Sequence, residues 1–174
     1  EFSRLEKIFN LYDDQRELSR LNRLGELQAS LDLFELLEES KDFFIKTNGI
    51  FDVSIAPLSL LWKRAIPVAR PPEKKKIQEA LALVGFEDVY LNKENRVVKL
   101  LKDGMKLDLG GIAKGYALDE AVARLRQAGV RDVLINAGGD IYCLGKNRDQ
   151  PWHIGIQDPR RKKKNVMTLA LQDG

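Results

Sequence analysis

The residue types best suited to chemistry lie in one short segment, LDLGGIAKGYA, which covers residues 107–117. Asp108 ends a strand-like alternation, two glycines follow, and Lys114 stands where a helix begins. Glycines allow a close approach of the backbone, and free amides at a helix start attract phosphate. The segment therefore predicts an anion site, although a tight strand-to-helix turn with a surface lysine explains it equally well. It is not a Walker A loop, because no glycine stands five residues before a Gly-Lys-Ser/Thr triplet.

A second glycine pair lies one predicted helix further along, in the stretch NAGGD over residues 136–140. A hairpin turn of the Gly-Gly type accounts for this stretch about as well as a contact with a ligand does. Its short distance in sequence from the first glycine segment favours a functional interpretation.

Aromatic and acidic residues occur together in the segment Phe51–Ser54. A loop aromatic beside an acid can stack on a heteroaromatic ring and hydrogen-bond to it. Asp52 can equally cap the segment that follows it, and Tyr12 can equally pack against the protein. Both interpretations remain open for each residue.

The composition excludes several classes of site. The 174 residues contain one cysteine, Cys143, and one histidine, His153, so an internal disulfide, a multi-cysteine metal site and a histidine cluster are excluded. Cys143 is interpreted as a small buried hydrophobe and His153 as a structural residue of a strand. The formal charge is only +3, and the short basic runs at 74–76 and 160–164 favour solvated faces over a nucleic-acid groove.

Helical periodicity and capping residues predict the elements that position these groups. An amphipathic helix opens the chain, and Ser30 caps a helix that runs to about Lys46. A loop and a short helical or irregular segment follow over 51–61, then a helix over 73–84 after two prolines. Another helix begins at Ala117 and closes at Gly129.

Alternating apolar residues predict the strands. They cover 89–91, 96–100, 105–109, 133–136, 140–144, 152–156 and 166–171. Early helices followed by mixed helices and strands predict an α+β fold with a mixed, largely antiparallel sheet and packed helices.

Five segments occur in an order that resembles the ApbE family, the FAD:protein FMN transferases. The segments are YDDQRELSRLN, TNGIFDVSIAPLSLLW, LDLGGIAKGYALDEA, DVLINAGGDIYCLG and PWHIGIQDPR. The segments are distributed between residues 12 and 160, so the resemblance spans nearly the whole chain. The expected fold is accordingly ApbE-like.

The resemblance implies a magnesium-dependent reaction on FAD. The pyrophosphate of FAD is cleaved, FMN is attached as a phosphoester to a Ser or Thr of an acceptor protein, and AMP leaves. Tyr12, Ile50, Phe51, Asp52, Asp108 and Lys114 match family positions that contact the flavin nucleotide. Gly111 matches a position that contacts Mg²⁺ and could offer only its carbonyl oxygen. No dedicated catalytic residue is assigned, because phosphoryl transfer depends mainly on positioning and charge neutralisation.

The sequence also departs from the family pattern. A His-x-x-Asp-Pro-x-x-Gly stretch and a later Asp/Thr cluster, which supplies most side-chain ligands of the metal, are absent from the 174 residues. We therefore expect residues 1–174 to form a single ApbE-like domain that is incomplete at the C-terminus and at the N-terminus. Two alternatives remain open: an FAD pyrophosphatase that gives FMN and AMP, and a non-catalytic flavin-binding or maturation protein.

Partners and location follow from the resemblance alone. The expected partners are FAD and an acceptor protein, a redox-complex subunit with a target Ser or Thr, and no nucleic acid. Family members mostly work outside the cytoplasmic membrane, often as lipoproteins. We therefore expect a periplasmic or extracytoplasmic location, with membrane attachment only through a lipid anchor that these residues do not contain.

Overall fold

The structure is a computed structural model that describes residues 2–161 and 163–173. The chain divides into two compact units, an N-terminal unit up to Ala113 and a C-terminal unit from Lys114 onward. Within the described ranges, no helix combines the length and the apolar character needed to cross a membrane.

Five helices belong to the N-terminal unit. They are α1 (Phe2–Phe9), α2 (Glu17–Leu24), α3 (Leu31–Lys46), α4 (Ala56–Ala65) and α5 (Lys74–Leu81), with 3₁₀ turns at Ile66–Val68 and Phe86–Asp88. The predicted cap of α3 is confirmed, since Ser30 Oγ accepts a hydrogen bond from Leu33 N. The polar stretch that forms α2 was not predicted as a helix, yet it buries Leu18 and Leu21 completely.

A small antiparallel sheet completes the N-terminal unit. Its strands are β1 (Glu26–Gln28), β2 (Val89–Asn92) and β3 (Val97–Leu100), in the order β1-β3-β2. Strands β2 and β3 confirm the predicted hairpin, whereas the short strand β1 was not predicted. Apolar side chains of α2, α3 and β3 are among those that form the core of this unit.

The strand predicted over 105–109 is wrong. The alternation is present in the burial, because Met105, Leu107 and Leu109 are all buried. The segment nevertheless makes only one isolated parallel bridge, from Lys106 to Ile55. Alternation reports which side chains face the core, and a ladder needs a neighbouring strand as well.

The described part of the C-terminal unit contains one helix and two antiparallel hairpins. They are α6 (Ala113–Gln127), whose first residue still belongs to the N-terminal unit, then β4 (Val133–Ala137) with β5 (Asp140–Leu144), and β6 (Trp152–Gln157) with β7 (Asn165–Leu171). Helix α6 begins four residues earlier than predicted. The strand pairs of the described residues are antiparallel, and together with the helices they confirm the predicted α+β class.

Candidate functional site

The segment after α3 is fixed by its own turn. Thr47 Oγ1 accepts a hydrogen bond from Phe51 N at 2.9 Å, and Gly49 N donates to Phe44 O at 2.8 Å. Gly49 has a φ of 79°, a value that glycine adopts without strain. This turn brings the Phe51 ring back onto α3, where it packs on Phe43 with 5.9 Å between the ring centroids and 66° between the ring planes.

Asp52 has backbone partners for both carboxylate oxygens. Oδ1 accepts from Ser54 N at 2.8 Å and Oδ2 accepts from Phe86 N at 3.2 Å. The buried Ser54 adds a third link, because its Oγ accepts from Gly85 N at 2.7 Å. These bonds favour the interpretation of Asp52 as a local cap that fastens the loop to the 85–86 turn. Its contact with a flavin stays a prediction.

The backbone of Asp108 lies directly beside this loop. Asp108 N donates to Val53 O at 2.7 Å, and the bridge from Lys106 to Ile55 continues the same alignment. On the other side, Asn22 makes two hydrogen bonds to the backbone of Leu107. Its Nδ2 donates to Leu107 O at 2.8 Å, and its Oδ1 accepts from Leu107 N at 2.7 Å. Segments 51–55 and 106–108 therefore run side by side and carry the predicted aromatic and acidic residues to one place.

The carboxylate of Asp108 is half-buried and held by two donors. Gly110 N donates to Oδ1 at 2.9 Å, and Ser59 Oγ, from α4, donates to Oδ2 at 3.2 Å. The Ser59 hydroxyl also lies 3.3 Å from Ala56 O, but its single proton is attracted more strongly by a carboxylate. The remaining lone pairs of Asp108 can accept hydrogen bonds from a ligand.

The two glycines after Asp108 leave little room for side chains. A Cβ on Gly110 would lie 3.1 Å from Asp108 Oδ1, and one on Gly111 would lie 3.4 Å from Phe51 Cε2. Gly111 therefore brings the backbone close to the Phe51 ring. Phe51, Asp52, Asp108 and Gly111 form one cluster, which we call the glycine-loop site.

Tyr12 and Ile50, two further predicted site residues, are both strongly exposed. Tyr12 is 61% exposed, and Lys63 Nζ lies 3.6 Å from its ring centroid, a cation–π contact. Tyr12 also lines a cavity of about 820 Å³, whose lining includes none of the four residues of the glycine-loop site. Ile50 is 89% exposed beside Phe51.

Lys114 belongs to the C-terminal unit, where it forms an ion pair with Asp140. Asp140 opens β5 directly after Gly138 and Gly139, whose φ values of 67° and 103° fit the predicted two-residue hairpin turn. Gly139 N also donates to Asn136 Oδ1 at 2.9 Å. This ion pair therefore links α6, which follows the glycines at 110–111, to the second glycine segment at 136–140.

Sequence reasoning missed three residues that hold predicted site residues in place: Asn22, Ser59 and Asp140. Asn22 and Ser59 lie far from Asp108 in sequence, and no local pattern marks them. Asp140 ended the NAGGD stretch and was the one detectable from the sequence, as an acid beside two glycines.

The described residues do not build a magnesium site by themselves. Within residues 2–161 and 163–173, no group of three or more His, Cys, Asp or Glu residues could hold a metal ion. Gly111 offers its carbonyl and Asp108 one carboxylate already bonded to two donors. Mg²⁺ prefers six oxygen ligands, so a complete shell would need oxygens from FAD phosphates, water or further protein residues.

His153 and Cys143 lie outside these groups. His153 is exposed on β6. Cys143 is fully buried on β5, and burial raises the pKa of its thiol above the ordinary value. The prediction of a small buried hydrophobe at Cys143 is consistent with this environment.

Comparisons with known proteins give one consistent result. The model of the ApbE family matches residues 1–174. A Klebsiella pneumoniae protein named FAD:protein FMN transferase is 35% identical over 75% of this chain and 40% of its own length. A Treponema pallidum protein of the same name is 28% identical over 97% of this chain and 54% of its own length.

Solved structures agree with the sequence comparisons. The crystal structure of the ApbE protein from Thermotoga maritima superposes with a TM-score of 0.90 at 30% identity, covering 98% of this chain and 57% of that chain. The chain thus spans about half the length of the relatives that it matches. A family match over all of its residues, together with this shared fold, shows that the chain belongs to the ApbE family.

Proposed function

We propose that the full-length protein is an FAD:protein FMN transferase that works with magnesium. In this reaction the hydroxyl oxygen of a Ser or Thr in an acceptor protein bonds to the FMN phosphorus. The bond from that phosphorus to the oxygen bridging to AMP breaks, AMP leaves, and the hydroxyl proton passes to solvent. A redox-complex subunit is the proposed acceptor.

The observation that supports this proposal most directly is the side-by-side pairing of segments 51–55 and 106–108. It sets the Phe51 ring against Gly111 and keeps Asp108 in a fixed orientation between Gly110 N and Ser59 Oγ. An aromatic ring next to a glycine suits the flat isoalloxazine ring of a flavin, and a held carboxylate suits an N–H or O–H donor on the nucleotide.

The roles proposed for this chain involve its own groups only. Phe51 stacks, Asp108 accepts a hydrogen bond, and Gly111 allows close approach of the ligand to the backbone. Lys114 would place positive charge near phosphate, a role that the resemblance suggests and that the ion pair with Asp140 would help to orient. Magnesium would supply further charge neutralisation at the pyrophosphate when bound.

The test uses the full-length protein with FAD, Mg²⁺ and an acceptor peptide that contains one Ser or Thr. We expect the mass of the peptide to rise by one FMN phosphoester and AMP to appear in equal amount. Free FMN without a modified peptide would replace the proposal with FAD hydrolysis. Bound FAD with no product at all would replace it with a non-catalytic flavin-binding role.

The proposal extends to location. An extracytoplasmic position, with a lipid anchor to the membrane, agrees with the setting typical of the family. Cell fractionation of the native organism, with and without an inhibitor of lipoprotein processing, tests this part separately from the enzymatic assay.

A further inference from the structure

One corner of the N-terminal unit combines exposed apolar residues with dense positive charge. It is formed by the end of α4, the 3₁₀ turn and α5, over residues 62–79, and we call it the basic corner. Within it, Ile66 is 76% exposed, Val68 65% and Trp62 44%. Every residue from 66 to 71 is exposed, so the turn projects from the body of the unit.

The charges of the basic corner are strongly unequal. It contains six basic residues and two acidic ones, a formal charge of +4 in a protein whose total is +3. The basic residues are Lys63, Arg64, Arg70, Lys74, Lys75 and Lys76. Lys75 pairs with Glu79, and among the described residues no ion pair is recorded for Arg64, Arg70, Lys74 or Lys76. Most of this positive charge therefore faces solvent.

A groove between α4 and α5 adds a second observation. It encloses about 390 Å³ and is lined by apolar side chains, including Leu61 and Leu83. Arg64, Lys76 and Lys106 also line it, against the single acid Glu79. The lining of this groove therefore combines apolar and basic side chains, as the exposed turn beside it does.

We propose that the basic corner docks the protein onto the surface of an anionic lipid bilayer. Ile66 and Val68 enter the boundary between headgroups and acyl chains, Trp62 lies at that boundary, and the Lys and Arg ammonium and guanidinium groups meet lipid phosphates. Apolar residues beside Lys and Arg are the pattern by which proteins lie on membranes without crossing them. A nucleic acid would use the charge but leave the exposed aliphatic side chains unburied.

This inference is independent of the proposed transferase activity. It concerns a different surface, and none of the four residues of the glycine-loop site belongs to the basic corner. Loss of membrane docking and loss of flavin transfer can therefore be measured separately on the same protein.

The test measures co-sedimentation of the full-length protein, produced without lipid modification, with unilamellar vesicles. One set of vesicles is phosphatidylcholine alone, and the other also contains phosphatidylglycerol. We expect binding to the anionic vesicles at least about ten-fold tighter, because each basic side chain near an anionic surface contributes roughly five-fold. Added salt should weaken this binding, since it screens exposed charges.

Two paired variants locate the surface. Replacing Ile66 and Val68 together by Ser should weaken binding at least about ten-fold, through lost burial of apolar area. Replacing Lys74 and Lys76 by Gln should weaken it about ten-fold or more. The matched controls are Ile45→Ser with Leu101→Ser, also exposed apolar residues, and Lys7→Gln with Lys41→Gln, also exposed lysines. The controls should bind as the parent protein does.

Fluorescence provides an independent readout of the same contact. These 174 residues contain two tryptophans, so a Trp152→Phe variant leaves Trp62 as their single tryptophan. Its emission should shift to shorter wavelengths on anionic vesicles and become protected from acrylamide. Equal binding to both kinds of vesicle, or unchanged binding in both basic-corner variants, would overturn the proposal. So would retention of the protein on RNA or an acidic polypeptide without any binding to vesicles.

Discussion

Ser59 Oγ donates a hydrogen bond to Asp108 Oδ2 at 3.2 Å and thereby joins helix α4 to the glycine-loop site. The other carboxylate oxygen, Asp108 Oδ1, accepts a hydrogen bond from Gly110 N, so the carboxylate cannot rotate freely. A carboxylate that is held before the ligand arrives loses less entropy when it binds. This relationship leads to predictions about flavin transfer.

Asp108→Ala should weaken flavin transfer at least ~10-fold, the scale of one lost charge-assisted hydrogen bond. Asp108→Asn, which keeps the shape and removes the charge, should retain more activity than the alanine variant. The measurement is covalent FMN incorporation by the full-length protein, with folding checked by circular dichroism. Activity of the alanine variant equal to that of the parent protein would remove Asp108 from the site.

Ser59→Ala should weaken flavin transfer about three- to tenfold, because a hydrogen bond to a charged group is worth more than a neutral one and this one is partly exposed. The effect should appear mainly in KM for FAD, since the carboxylate stays in place but is held less firmly. Ser40→Ala is the matched control. Ser40 is buried and its hydroxyl donates a hydrogen bond to Leu36 O within α3, so its removal should leave KM unchanged.

Gly110→Ala should lower flavin transfer about ten-fold, since small displacements of a positioned group cost large factors in rate. The new Cβ would lie 3.1 Å from Asp108 Oδ1 and push the carboxylate out of its present orientation. Gly110 is exposed and needs no positive φ, so the free energy of unfolding should barely change. A large loss of stability in urea denaturation would contradict this account.

Gly115 offers a comparison for stability only. Its Cβ would meet nothing within 4 Å, and alanine in the first turn of α6 should raise the free energy of unfolding by up to ~1 kcal/mol. Urea denaturation of both glycine variants thus separates local crowding at Asp108 from the general effect of replacing a glycine by alanine.

Cys143 should resist alkylation by iodoacetamide in the native protein at neutral pH. Burial raises the pKa of its thiol, so the reactive thiolate is rarer at any given pH than in the unfolded chain. As pH rises through the ordinary range of a cysteine, the unfolded chain should become reactive first. Mass spectrometry after timed labelling, with and without urea, measures the difference. Rapid labelling of the native protein would show that Cys143 is accessible.

Elements with strong local determinants were predictable from the sequence. Ser30 sets the start of α3 because its side chain caps the helix, and the Gly138-Gly139 pair sets the β4–β5 turn because both residues need positive φ. In both cases the residue that determines the structure lies within a few residues of the helix start or turn that it determines. Such local determinants can be read from one sequence.

Elements that depend on distant partners were not predictable. The 105–109 segment alternates like a strand, but its backbone partner on one side is the side chain of Asn22 rather than a strand. The same holds for two further contacts, which exist only once the chain has folded. They are the hydrogen bond from Ser59 to Asp108 and the ion pair of Lys114 with Asp140. The residues predicted to contact ligand could be named from the resemblance to a family, whereas Asn22 and Ser59, which hold Leu107 and Asp108 in place, could not be named.

The paired hydrogen bonds between Asn22 and Leu107 join positions 85 residues apart. Contacts so distant along the chain form only after a large loop has closed. During synthesis, α1, α2 and α3 can leave the ribosome and begin to pack while Leu107 has not yet been made. We therefore expect the glycine-loop site to be among the last parts of the N-terminal unit to assemble, and nascent chains stalled before Leu107 to present these helices without a complete glycine-loop site.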